Sequence, residues 1–230
     1  MLLHSSGMSS RQFSRLAPTL VEAGYRVVLV DLTGHGKSRP LAEGTPMSWR
    51  DDVAEVIASI TEPTKIVGHS YGGLLALHAA LAAPVTRLVL YDPVAFGILD
   101  PVADADVLAT LSTIASPEVT TEAWLQGFVD YWSGAGAWSG LRDNVRDEFR
   151  RVAWAVREGV VTLMTDQTKS YPKLPLALIT GELTPIAEQR VVERLAAATG
   201  ASVTRIPGAG HMGPLSHADV VNARVLELLA

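Results

Sequence analysis

Cysteine is absent from this chain of 230 residues, which excludes a disulfide framework and any thiolate metal site. No apolar run reaches the 18 residues expected of a membrane-spanning helix. Met1-Leu2-Leu3-His4 has neither the charged start nor the cleavage site of a secretory leader, so a cytoplasmic location is expected and no membrane partner. No stretch concentrates lysine and arginine, and 19 basic against 24 acidic residues leave a net charge of −5. Both facts argue against nucleic acid as a partner, and no basic cluster suggests a phosphate or coenzyme A handle. The six histidines are scattered, with no His-x-x-x-His pair on a predicted helix, so no metal and no other cofactor is expected. Internal repeats and low-complexity segments are also missing.

What the chain does have is apolar content near one half (48%), enough for one α/β domain with a substantial core. Its organising stretch runs from Thr64 to Ala83. An apolar pair, Ile66 and Val67, reads as a buried strand. Gly68-His69-Ser70-Tyr71-Gly72-Gly73 follows, and then a helical run rich in Leu and Ala. Strand, sharp turn and helix are the context that Gly-x-Ser-x-Gly requires. The turn strains the central residue, and flanking glycines let strand and helix come close. Ser70 is thereby expected as an exposed nucleophile, with the Tyr71 amide and a helix N-terminus beside it.

The rest of the chain alternates around that stretch. Met1–His4 reads as the end of a strand, followed by a turn and a helix of about fourteen residues with Phe13, Leu16, Leu20 and Val21 on one face. Tyr25–Val30 reads as a strand buried on both faces, and Trp49–Ile60 as a helix. Arg87–Tyr91, Leu174–Thr180 and Ser202–Ile206 are strands; Pro185–Thr199 and His217–Leu229 are helices. Between residues 95 and 173 the alternation breaks into several short helices holding Trp124, Trp132, Trp138 and Trp154. Alternating strands and helices imply a doubly wound, mostly parallel sheet with chemistry at the strands' carboxyl ends. His4, Ser70, Asp92, Thr184 and His211 all fall just after predicted strands.

These motifs together resemble the α/β-hydrolase family over nearly the whole chain. The resemblance rests on His4-Ser5-Ser6-Gly7, the loop Asp31…Gly34-His35-Gly36-Lys37-Ser38, the Gly68–Gly72 elbow, Gly210-His211, and the order nucleophile, acid, histidine. It implies a core of residues 1–94 and 174–230, and a helical cap over the site formed by 95–173. The family's first strands have no counterpart in this sequence as given, and if the sheet is reduced accordingly, its uncovered apolar edge would favour self-association as a homodimer. Thr184 occupies the position of the family's usual acid and cannot carry a charge. The resemblance therefore leaves two acids open: Asp92, at the position some members use instead, and Glu182. The backbone amides of Ser6 and Tyr71 are the implied oxyanion hole. His4, His35, His69 and Asp31 are expected to be structural, and His78 and His217 to lie on helix surfaces.

The chemistry implied is that of a serine carboxylesterase acting on small, fairly apolar esters without a cofactor. Ser70 would attack the acyl carbon, His211 would carry the proton, and Asp92 would orient the imidazole. A serine at the elbow excludes alkyl-ester chemistry of the dehalogenase or epoxide-hydrolase kind. Alternatives are the same triad acting as a C–C bond hydrolase, lactonase or perhydrolase, and a non-catalytic receptor for small molecules.

Overall fold

A computed structural model of the chain describes residues 1–115 and 120–230. In chain order it contains β1 (Leu2–Leu3), α1 (Leu16–Glu22), β2 (Leu29–Val30), α2 (Trp49–Ser59), β3 (Thr64–His69), α3 (Tyr71–Ala79) and β4 (Val85–Tyr91). Four helices intervene before the next strand: α4 (Ala105–Ile114), α5 (Thr121–Ser133), α6 (Ala137–Gly140) and α7 (Asp143–Leu163). The chain then resumes with β5 (Leu176–Gly181), α8 (Ile186–Thr199), β6 (Ser202–Ile206), the single turn α9 (Gly213–Ser216) and α10 (Ala218–Leu229).

The six strands form one sheet in the order β2-β1-β3-β4-β5-β6, and every pairing is parallel. Leu3, Gly68, Leu90, Leu178 and Val203 lie abreast across it. This register brings the carboxyl ends of the central strands to a common rim. Alternation decides which face each side chain serves. Leu88 and Leu90 join the apolar cluster that extends into the inserted helices, while Val89 and Tyr91 join the one beneath α1 and α10. Each fully buried leucine of this kind contributes about 1.5–3 kcal/mol by leaving water.

Three expectations need correction. The helix after the first turn is split into a 3-10 turn, Ser10–Phe13, and α1, with Val21 58% exposed. Pro18 explains the break: lacking an N–H, it is tolerated only in a helix's first turn, so α1 must begin at about Leu16. The second strand shrinks to Leu29–Val30, with Leu29 46% exposed, because β2 is the sheet edge and its neighbour β1 offers only Leu2 and Leu3 to pair with. The inserted segment is not made of short helices alone, since α7 runs for 21 residues. Its Phe149, Val152, Val156, Val160 and Leu163 are buried at helical spacing. Outward pairs Arg150–Asp147 and Arg151–Glu148 occupy the wet face. Residues 116–119, part of the segment expected as a cap, lie outside the described residues.

Candidate active site

Ser70 leaves β3 with φ 56° and ψ −117°, a backbone region that costs a non-glycine residue of order 1–3 kcal/mol and persists only where its surroundings enforce it. They do so here. A Cβ at Gly72 would stand 2.2 Å from the Leu3 carbonyl oxygen, and one at Gly68 would stand 2.7 Å from that of Gly72. The Ser70 amide donates to the Tyr91 carbonyl (2.9 Å), tying the elbow to β4. The Tyr71 hydroxyl donates to Asp52 Oδ2 (2.7 Å), tying it to α2.

Asp92 follows β4 and is the second non-glycine residue at positive φ (42°) among the described residues. Both outliers therefore lie in the loops that converge at one rim. Asp92 is fully buried, and its Oδ2 stands 3.4 Å from His211 Nδ1. That separation with poor alignment is looser than a formed hydrogen bond, as is common in substrate-free sites. Thr184 lies on the other side: its hydroxyl donates to the same Oδ2 (2.7 Å) and accepts from the Gly181 amide (3.1 Å). The residue that replaces the family's usual acid is thus a hydrogen-bond donor to the carboxylate beside it. Glu182 is not brought to His211; it is exposed and accepts the Gly208 amide (2.9 Å).

Burial raises Asp92 to about 7, and the Thr180 and Thr184 hydroxyls oppose that rise. Burial alone pushes His211 down to about 3, so the resting imidazole is neutral and able to accept a proton.

The histidines separate by how their ring nitrogens are used. His4 accepts the Leu32 amide at Nε2 (3.0 Å) and donates from Nδ1 to the Ser5 carbonyl (2.8 Å). His35 accepts the Gly7 amide at Nε2 (3.1 Å) and donates from Nδ1 to the Thr33 carbonyl (2.8 Å). His69 accepts Gln12 Nε2 at Nδ1 (2.9 Å) and donates to the His211 carbonyl (2.9 Å). All three are saturated. His211 Nε2 makes no hydrogen bond among the described residues, which frees it for chemistry. His78 corrects an expectation: it is no surface residue, since Trp49 covers it (ring centroids 4.4 Å) and Asp166 lies 3.6 Å away.

Two amides in these loops have no acceptor among the described residues. The Ser5 and Gly7 amides are bonded to Gln12 and His35, leaving that of Ser6 without an acceptor among the described residues. Tyr71 opens α3, where the first amides lack intrahelical acceptors.

Ser70 and His211 meet a cavity of about 340 Å³ whose other walls include Val94, Leu111, Phe128, Val160 and Leu163. At its mouth, Met8, Val145, Phe149 and Leu215 are shared with a wider groove of about 870 Å³ that Arg11, Lys37 and Arg142 border. Among the described residues these three cations make no ion pair, and no group of His, Asp or Glu converges that could hold a metal ion.

The alpha/beta hydrolase family model matches residues 1–224. The chain belongs to that family. Over 245 aligned residues it is 31% identical to pimeloyl-[acyl-carrier protein] methyl ester esterase of Xanthomonas oryzae pv. oryzae, covering 100% of this chain and 94% of that one. The magnesium-chelatase 30 kDa subunit of Rhodobacter capsulatus is 39% identical over only 94 residues, 39% of this chain and 32% of that subunit. Among solved structures, a hydrolase from Pseudomonas aeruginosa PA01 superposes with a TM-score of 0.77 at 20% identity, covering 100% of this chain and 88% of that one. That likeness concerns the fold.

Within this α/β-hydrolase, sequence reasoning missed three residues near the site. Thr184 was legible as a lost charge but not as a donor to Asp92, 92 positions away. Glu188 is fully buried in the first turn of α8, with one oxygen unpartnered and the other near the Tyr131 hydroxyl. Trp132 lies against the His211 ring. The four-residue steps Trp124–Phe128–Trp132 were the available signal for a single aromatic face.

Proposed function

We propose that this protein is a serine hydrolase that cleaves small, apolar carboxylic esters through an acyl-enzyme on Ser70. One observation carries the reading: a strained serine and an imidazole with a free Nε2 open onto one apolar cavity. Ser70 Oγ attacks the acyl carbon as its proton passes to His211 Nε2. The bond to the alcohol oxygen breaks, and the alcohol leaves with that proton. Water then gives a proton to Nε2 and its oxygen to the acyl carbon, and Nε2 returns the proton to Ser70 as the acid departs. Asp92 holds the imidazole's other nitrogen, and the Ser6 and Tyr71 amides receive the oxyanion, each such donor worth about 3 kcal/mol in the transition state. Helices α4–α7 act as the cap that shapes the acyl pocket and excludes water.

A fluorophosphonate probe and a series of p-nitrophenyl esters test the reading. The probe labels the wild type and not Ser70→Ala, and hydrolysis favours short to medium acyl chains. No labelling together with no hydrolysis would defeat it.

A second reading concerns the far side of the ester. Arg11, Lys37 and Arg142, dispersed in the sequence, gather along the groove that continues from the cavity, where Glu148 is paired with Arg151 and Asp31 is the other carboxylate, leaving a net positive surface not expected from the sequence. It supports esters whose acyl chain is joined to an anionic group or carrier, the kind named for the Xanthomonas relative. A higher kcat/KM for an acyl ester bearing a distal phosphate than for its neutral analogue, reduced by Arg142→Ala, is expected. Equal values would remove this reading and leave the first intact.

A further inference from the structure

Helix α5 carries an aromatic ladder that ends on the proposed base. Trp124 stacks on Phe128 (centroids 5.2 Å, planes 16° apart), Phe128 meets Trp132 edge-on (6.2 Å, 68°), and Trp132 lies over His211 (4.3 Å, 33°). The four-residue spacing puts all three rings on one side of α5. The indole N–H of Trp132 is shielded from water and has no acceptor among the described residues. No hydrogen bond therefore fixes this ring; packing does. Its neighbour Tyr131 packs edge-on against it (4.6 Å, 86°) and sends its hydroxyl to Glu188 Oε2 on α8 (3.4 Å). Residues 131 and 132 are thus joined to the core at two points, one a polar latch and the other a ring on the imidazole.

We infer that Trp132 is a positioning residue for His211: the indole holds the imidazole in the plane where Nδ1 meets Asp92, and keeps water off it, while the Tyr131–Glu188 latch holds the indole. The inference rests on the reading of His211 as the base. Its physical basis is that an imidazole whose Nδ1 partner stands at 3.4 Å is not oriented by that contact alone. A flat aromatic face restrains ring rotation without competing for Nε2. The same face can sustain the transient imidazolium charge.

The two roles act oppositely on the imidazole's proton affinity, and magnitude decides the net sign. Losing the π face lowers that affinity by about one and a half pH units. Losing cover readmits water to a ring that burial has pushed from 6.5 to about 3. Cover dominates, so opening the site raises the apparent pKa. The titratable groups facing His211 are Asp92 and His69. Arg205 acts on Asp92 from an adjoining element, and Asp92 in turn acts on Tyr91 and Glu188. All are unchanged by substituting Trp132.

The test combines kinetics and fluorescence. Trp132→Ala should lower kcat at least tenfold, change KM by less, and move the acid limb of the kcat/KM profile upward by about one pH unit or more. Trp132→Phe, which keeps an aromatic cover, should stay within about threefold of wild type. Tyr131→Phe and Glu188→Gln should each shift the limb in the same direction by less. A merely structural role would lower the yield of folded enzyme and leave the acid limb where it is, so an unmoved limb with normal kcat in folded Trp132→Ala overturns the inference. Fluorescence gives a readout independent of turnover and of how well Trp132→Ala folds. In a Ser70→Ala background, emission assigned to Trp132 by difference with Trp132→Phe should change when His211 becomes Gln; no change overturns the stacking. If instead Ser70→Ala and His211→Gln keep esterase activity, the hydrolase reading fails while the fluorescence result stands on its own.

Discussion

Two parts of the molecule wall the same cavity. On the sheet side, Ser70 and Asp92 occupy backbone at positive φ, and Thr184, Tyr71 and three saturated histidines hold the loops with directed bonds. On the other side, α4–α7 present Leu111, Phe128, Val160 and Leu163, which make no side-chain hydrogen bonds at all. Bond-making chemistry depends on angles and on fractions of an ångström, so its supports are polar, directed and strained. Accommodating an acyl chain requires only volume without water, so its supports are apolar. The sheet side should therefore govern rate, and the inserted helices, apart from Trp132 against His211, should govern which esters are accepted.

The largest way to break this comparison is Ser70→Ala, expected to lower kcat about 10⁶-fold with little change in the melting curve. Asp92→Asn should follow at about 10⁴-fold, while Glu182→Gln stays near wild type in the same ester assay. A reversal of those two would move the acid to Glu182.

Stability against pH probes the loop bonds apart from catalysis. His4, driven to about 3 chiefly by burial and by the nearby His35, binds protons less readily folded than unfolded. Its contribution is complete above pH 6.5 and is lost as pH falls toward 3. The stability advantage of wild type over His4→Asn should therefore narrow by roughly 1.4 kcal/mol per pH unit between about pH 6 and pH 4 in urea titrations. A constant gap would show that His4 is not held neutral.

Thr184→Val sharpens the comparison on the sheet side. It removes the donor to Asp92 Oδ2, with an expected loss of about 1–3 kcal/mol in stability and about tenfold in kcat. The smallest effect belongs to the acyl-pocket wall. Phe128→Leu should leave kcat on a good substrate unchanged, yet alter the ratio of kcat/KM between short and medium acyl esters by about three- to tenfold. A uniform drop across all chain lengths would place Phe128 in support of the chemistry instead.

Much of the fold was legible because its signals are short-range. Ile66-Val67 and Val89-Leu90 announce strands, and Gly68-His69-Ser70-Tyr71-Gly72 announces the turn between strand and helix. Errors gathered where neighbours were decisive. Tyr25–Val30 has the composition of a central strand, yet as the sheet edge it keeps only two paired residues. His78 has the sequence setting of a surface residue, yet Trp49 and Asp166 enclose it.

Five consecutive residues suffice to write the elbow into the chain, because the demand there is steric and local: strand and helix cannot approach unless Gly68 and Gly72 lack side chains. Packing alone decided that Thr184 serves Asp92, that Trp132 covers His211, and that Arg11, Lys37 and Arg142 share one groove. Those partners lie 26 to 131 positions apart. No spacing rule spans such separations, because the distance between two side chains is then set by how sheet, helices and loops pack together and not by the chain between them.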